Sequence, residues 1–120
     1  MSTLRKFIIL LAIITNTVLA TIALGSLELQ KNKPLLNVAW IEGNNPCIRD
    51  DYITPISASG QNPCGIRFTL TNGHTYYEEN CGVSAIVIRN ADGSFNSQCR
   101  QKSWSCVSGD HTYRQTWSCY

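Results

Sequence analysis

The sequence predicts an all-β fold: a small disulfide-stapled β-sandwich of about six antiparallel strands, with an extra C-terminal hairpin as an option. Three observations point there. Apolar side chains at Ile66, Phe68 and Leu70 alternate with Arg67, Thr69 and Thr71, which is the period of a half-buried strand. The six cysteines, at 47, 64, 81, 99, 106 and 119, all fall in the C-terminal two thirds of a 120-residue chain. An even count in a short secreted chain argues for disulfides, each worth about 2 to 4 kcal/mol where a thin core alone is marginal. Past the leader, no stretch longer than a turn has a helical apolar period.

The chain opens with Arg5 and Lys6, an unbroken apolar run Phe7–Ile14, and a second apolar stretch ending at Leu24. The run is too short to cross a bilayer of about 30 Å and reads as a secretory signal over residues 1–20, with cleavage as late as 25 also fitting. Residues 26–34, SLELQKNKP, are polar and aperiodic and read as a flexible arm. Residues 35–120 then form a single β-domain. Removing Arg5 and Lys6 from the ten Lys and Arg leaves eight, against eight Asp and Glu. A neutral chain without a basic stripe offers no electrostatic case for nucleic acid or an anionic membrane.

Leu35–Glu42 reads as a strand, broken by Gly43-Asn44-Asn45-Pro46. Cys47–Ile53 is a weaker strand, because Arg49, Asp50 and Asp51 suit only an edge. Pro55 places Ile56–Ser59 at an edge or bulge, since proline cannot donate to a ladder. Cys64–Cys81 is the clearest element, a hairpin turning at Asn72-Gly73, residue types that accept a type I′ turn. A two-residue turn sets Thr71 opposite His74, Phe68 opposite Tyr77, Arg67 opposite Glu78 as a cross-strand ion pair, and Cys64 opposite Cys81. That last pair falls at a non-hydrogen-bonded position, where Cα atoms approach to about 4.5 Å and a disulfide can span them.

Val83–Arg89 is the most apolar strand after the leader and is expected at the centre of a sheet. Asn90-Ala91-Asp92-Gly93 turns into Ser94–Gln98, and KSWSC and QTWSC, either side of Ser108-Gly109-Asp110, read as a second hairpin.

Residues 66–95, IRFTLTNGHTYYEENCGVSAIVIRNADGSF, resemble the corresponding part of the MAX effectors, secreted proteins of plant-pathogenic fungi. The likeness lies in Gly73-His74 between two strands, Asn80-Cys81 after them, the apolar Val83–Arg89, and Asp92-Gly93. It implies bridges Cys47–Cys81 and Cys64–Cys99, and Cys106–Cys119 then follows by elimination. The hairpin register offers Cys64–Cys81 as a rival. Cys47–Cys81 is favoured over it because it closes the longer loop and so removes more unfolded-chain entropy. The resemblance also implies a partner, a metal-binding-like domain of a host immune receptor met along an edge strand.

For chemistry, His74, Glu78 and His111 could serve a ribonuclease, which needs a general base, a general acid and a cation such as Arg67, Arg89 or Arg114. As a turn residue and a loop residue, the two histidines have simpler explanations. No nucleophile motif, phosphate-cradling loop, calcium loop, CxxC or CxxH occurs, so no cofactor or metal is expected. Binding is the better reading: a secreted, monomeric effector or toxin that meets a host protein by edge-strand pairing, without catalysis. The candidate contact residues are Asp50, Asp51, Tyr52 and Ile53 at the edge, and the aromatics Trp104 and Trp117. A ribonuclease-like enzyme or degenerate relative is the second reading, and a small antimicrobial or carbohydrate-binding protein the third.

Overall fold

A computed structural model describes residues 20–30, 35–83 and 85–120. Residues 1–19 of the signal expected over 1–20, Lys31–Pro34 of the expected arm, and Ser84 lie outside the described residues. The rest is all-β, as the alternation of apolar residues requires. The strands are β1 (Ile22–Glu28), β2 (Leu35–Ile41), β3 (Thr54–Ala58), β4 (Phe68–Thr69), β5 (Thr75–Glu79), β6 (Val87–Asn90), β7 (Phe95–Ser108) and β8 (His111–Cys119). They form one antiparallel sheet in the order β3-β2-β1-β8-β7-β6-β5-β4. No helix among the described residues is long and apolar enough to cross a membrane.

The sheet folds back on itself, and β7 belongs to both halves. Its start pairs with β6 and its remainder with β8. Ile22, Leu24 and Ala39 from one half meet Phe68, Leu70, Tyr76, Ile86 and Ile88 from the other, with the Cys99–Cys119 bridge between them. At the far side the two end strands approach, where the Thr54 hydroxyl donates to the Thr69 carbonyl at 2.9 Å. A second apolar layer, Ala23, Leu27, Val38, Trp40 and Tyr113, lies on the outer face of β1, β2 and β8. The segment from Glu42 to Ile53 covers it, held by the Cys47–Cys106 disulfide. Two layers on the two faces of one sheet explain why β1 is apolar without alternation at Ile22, Ala23 and Leu24, all buried.

β1 corrects the sequence reading in two places. Ser26–Glu28, expected in a flexible arm, are strand residues paired with both β2 and β8. Cleavage after Gly25 would remove Ile22–Gly25, four of the seven residues of β1, whereas cleavage after Ala20 leaves it whole. Gly25 is small for a different reason than a leader's end: a Cβ there would sit 1.9 Å from the Arg114 carbonyl oxygen of β8. Gly25→Ala is therefore expected to cost about 2 to 3 kcal/mol by overpacking, read as a lower urea midpoint with an unchanged slope.

Other expectations shift for local reasons. Cys47–Ile53 is not a strand; it runs through turns into a 3₁₀ turn at Asp50–Tyr52, as its three charged residues favour. Pro55 does lie in an end strand, β3. Of Val83–Arg89, only Val87–Arg89 joins β6, and Val83 is 62% exposed. The centre of the sheet belongs to β8 and β7. The C-terminal hairpin forms as β7 and β8, with Gly109 at φ 58° in the two-residue turn.

The β4–β5 hairpin forms, one residue out of the expected register. Gly73, not Asn72, carries the positive φ (83°), the Gly73 amide donates to Leu70 O at 2.9 Å, and Leu70 faces His74. This is a three-residue loop closing on a glycine, so Phe68 pairs with Tyr76 and not with Tyr77. A slip of one turns every side chain of β5 over. Arg67 accordingly lies over the Tyr77 ring at 4.7 Å in place of an ion pair with Glu78. Glu79 takes the ion pair, with Arg89 at 2.9 Å, and Glu78 is buried at 4% exposure. Asn80, at φ 63°, absorbs the extra residue and returns Cys81 to Cys64.

The bridges are Cys47–Cys106, Cys64–Cys81 and Cys99–Cys119. The rival pairing Cys64–Cys81, read from the hairpin, forms, while Cys47–Cys81, Cys64–Cys99 and Cys106–Cys119 do not. Loop entropy ranks bridges by their effect on the unfolded chain; which sulfurs meet is set by the folded one. Cys106 projects toward the outer layer, where the Glu42–Ile53 segment brings Cys47.

Candidate functional site

β7 and the outer layer build the region with the most unspent chemistry. Beyond Gln98 no strand pairs with the side of β7 away from β8, and no backbone hydrogen bond leaves Arg100–Ser108 in that direction among the described residues. The tight turn makes Ser108 and His111 the closing pair, so Cys106 and Ser108 bond to β8. Val107 and Ser105 then direct their N–H and C=O outward. Val107 is 69% exposed.

A bulge between Gln101 and Trp104, opposite Thr116, bends this strand and aims Trp104 at the outer face. There it meets Trp40, ring centroids 6.4 Å apart at 51°. Between the rings and the Gly43–Pro46 turn opens a cleft of about 300 Å³, lined also by Glu42, Lys102 and Gln115. The Glu42 carboxylate accepts from Gln115 Nε2 at 3.0 Å, from Ser118 Oγ at 2.9 Å and from Lys102 Nζ. Burial pushes this carboxyl up, but those three hydrogen bonds and the Lys102 charge outweigh it and hold Glu42 below its ordinary value.

The residues expected to bind a partner do not share one surface. Asp50 and Asp51 lie on the 3₁₀ turn, beside a shallow groove that also takes in His111 and Asp110. Asp51 is held by Arg49, whose guanidinium also lies 5.3 Å from the Tyr52 ring. Ile53 is half-buried against the outer apolar layer, and Trp117 packs on the inner core, so neither is a free anchor. Trp104 alone of the six belongs to the Trp40 cleft. The sequence reading missed Trp40 and Glu42, although their spacing of two on one strand marks them as neighbours on one face.

The ribonuclease candidates are likewise apart. His74 is exposed at the β4–β5 turn, with its amide bonded to Asn72 Oδ1 at 3.0 Å. His111 stacks edge-on against Tyr113 at the β7–β8 turn. Glu78 faces a small inner cavity beside Trp117 and Ile86. The three line no common cleft among the described residues. Burial alone raises the Glu78 carboxyl to about 7. Among the described residues, no three His, Cys, Asp or Glu side chains cluster as a metal site would need.

Comparison with family models, with curated proteins and with solved structures finds no match to this chain.

Proposed function

We propose that this is a secreted effector or toxin that acts by binding a host protein, without catalysis, and that the partner adds an extended segment to the open edge of β7. The observation that carries this reading is the outer half of β7, whose outward backbone groups at Ser105 and Val107 have no partner among the described residues. Such an edge gives affinity through main-chain hydrogen bonds and specificity through alternate side chains. Three disulfides fit an extracellular route. The end strand β3, next to the Asp50–Ile53 segment, is the weaker candidate, because Thr54 already reaches across to β4.

The resemblance of residues 66–95 to the MAX effectors supports the same class of partner, a metal-binding-like domain of an immune receptor. The bridges that this resemblance implies are not the ones formed, so the reading rests on the edge. Val107→Pro tests it, because proline removes an outward N–H and leaves the β8 ladder intact. A host protein captured by the native chain is expected to bind this variant at least about tenfold more weakly, with amide-exchange protection appearing over Arg100–Ser108 in the native complex. Undiminished binding by the variant, with protection confined elsewhere, would overturn the reading.

A further inference from the structure

The Trp40–Trp104 cleft has a chemistry of its own, separate from the backbone edge. Its charges cancel: Glu42 and Lys102 pair with each other, so neither an anionic nor a cationic ligand gains a net attraction. Its walls are two indoles, Trp40 as a floor 2% exposed and Trp104 as a half-exposed side.

Its polar groups are incompletely used. Gln115, 5% exposed, gives its amide nitrogen to Glu42 and to Trp117 O, leaving Oε1 without a protein donor among the described residues. Asn45 accepts from the Cys47 amide through Oδ1 and keeps both Nδ2 protons. Lys102 Nζ gives one of its three protons to Glu42. A purely apolar ligand would strip water from these donors and the Gln115 acceptor and return nothing.

A second depression of about 440 Å³, along Ser103, Ser105, Arg114 and Thr116, opens on the opposite face of the sheet and is no part of this cleft. Ser105 falls between Trp104 and Cys106, and Arg114 between Tyr113 and Gln115, all four outer-face residues, so Ser105 and Arg114 point the other way. The ligand that matches is neutral, has a C–H face to lie on an indole, and carries hydroxyls that both give and accept.

We infer that the Trp40–Trp104 cleft binds a neutral oligosaccharide, with one pyranose ring against Trp104. The ring's C–H groups meet the negative indole face, and its hydroxyls take the open valences of Gln115, Asn45 and Lys102.

The test titrates the oxidised full chain with neutral tetrasaccharides of β-linked glucose, β-linked N-acetylglucosamine and α-linked mannose, following tryptophan fluorescence and heat. At least one is expected to bind saturably in the millimolar range or tighter. Trp104→Ala is expected to weaken that binding at least about tenfold, and Trp104→Phe, which keeps an aromatic wall and guards against misfolding, by a smaller factor. Val107→Pro is expected to leave it unchanged, which separates this site from the strand edge. No saturable binding of any of the three by the native chain overturns the inference. So does binding that both Trp104 variants retain in full.

Discussion

Replacing Cys47 and Cys106 together by Ser is expected to cost about 4 kcal/mol, the largest loss from any one bridge. The two are 59 residues apart, and the entropy that a cross-link removes from the unfolded chain grows with the loop it closes. Cys64–Cys81 and Cys99–Cys119, with separations of 17 and 20, are each worth about 3 kcal/mol on the same scale. The loss should also have an address. Without the bridge the Glu42–Ile53 segment is released from the outer apolar layer, so amides from Glu42 to Ile53 are expected to exchange first and Trp40 to become accessible to quenchers. Uniform destabilisation, with the segment still protected, would show that the bridge does not hold this cover. Urea unfolding with amide exchange reads both parts.

Stability is also expected to fall as pH rises, because of one side chain. Glu78 is buried with no ion pair among the described residues, and the other residues around its cavity, Leu24, Asn37, Val38, Ile56, Ile86 and Trp117 among them, carry no charge. Burial raises its carboxyl from the ordinary 4.5 to about 7. Between those values the folded chain keeps a proton that the unfolded chain has released. Its contribution is therefore complete below the unfolded value and is lost as pH rises through the folded one, a fall of about 3 kcal/mol in all.

Glu42 works in the opposite sense. Held below its ordinary value, it stabilises above that range and loses its contribution as pH falls through it. The two together place the optimum near the low end of the Glu78 window. Glu78→Gln isolates the first effect: urea unfolding at about pH 5 and about pH 8 should differ by about 2.5 kcal/mol less in the variant than in the native chain. An unchanged difference would assign the slope to other groups.

Much of the fold was legible because its signals are local. The β4–β5 hairpin, the turn at Asn90–Gly93 and the C-terminal pair β7–β8 rest on alternation and on Asn, Asp and Gly at the turns. The register error was a matter of one residue. Asn72-Gly73 suits a two-residue turn and equally a three-residue loop with glycine last, and only packing selects the second, by sending Phe68, Tyr76 and Glu78 to one side.

β1 was hidden for a different reason. Ile22–Gly25 continues the apolar run of the leader, so one composition fits both a signal's end and a strand buried on two faces. With β1 missing, the outer layer could not be foreseen. Nor could the cover made by Glu42–Ile53, or the meeting of Trp40 with Trp104. Trp104 could be singled out as an aromatic in a polar strand. Its neighbours depend on contacts between β2, β7 and β8 that no local pattern states.

The most direct test is disulfide mapping, because the Cys47–Cys106 bridge pins the Glu42–Ile53 cover that builds the tryptophan cleft and fixes the outer half of β7 beside it. Proteolysis of the oxidised protein followed by mass spectrometry should return Cys47–Cys106, Cys64–Cys81 and Cys99–Cys119. Recovery of Cys47–Cys81 with Cys64–Cys99 would contradict it, since Cys47 would then be drawn toward the β4–β5 hairpin and the outer face of β1, β2 and β8 would lose its cover.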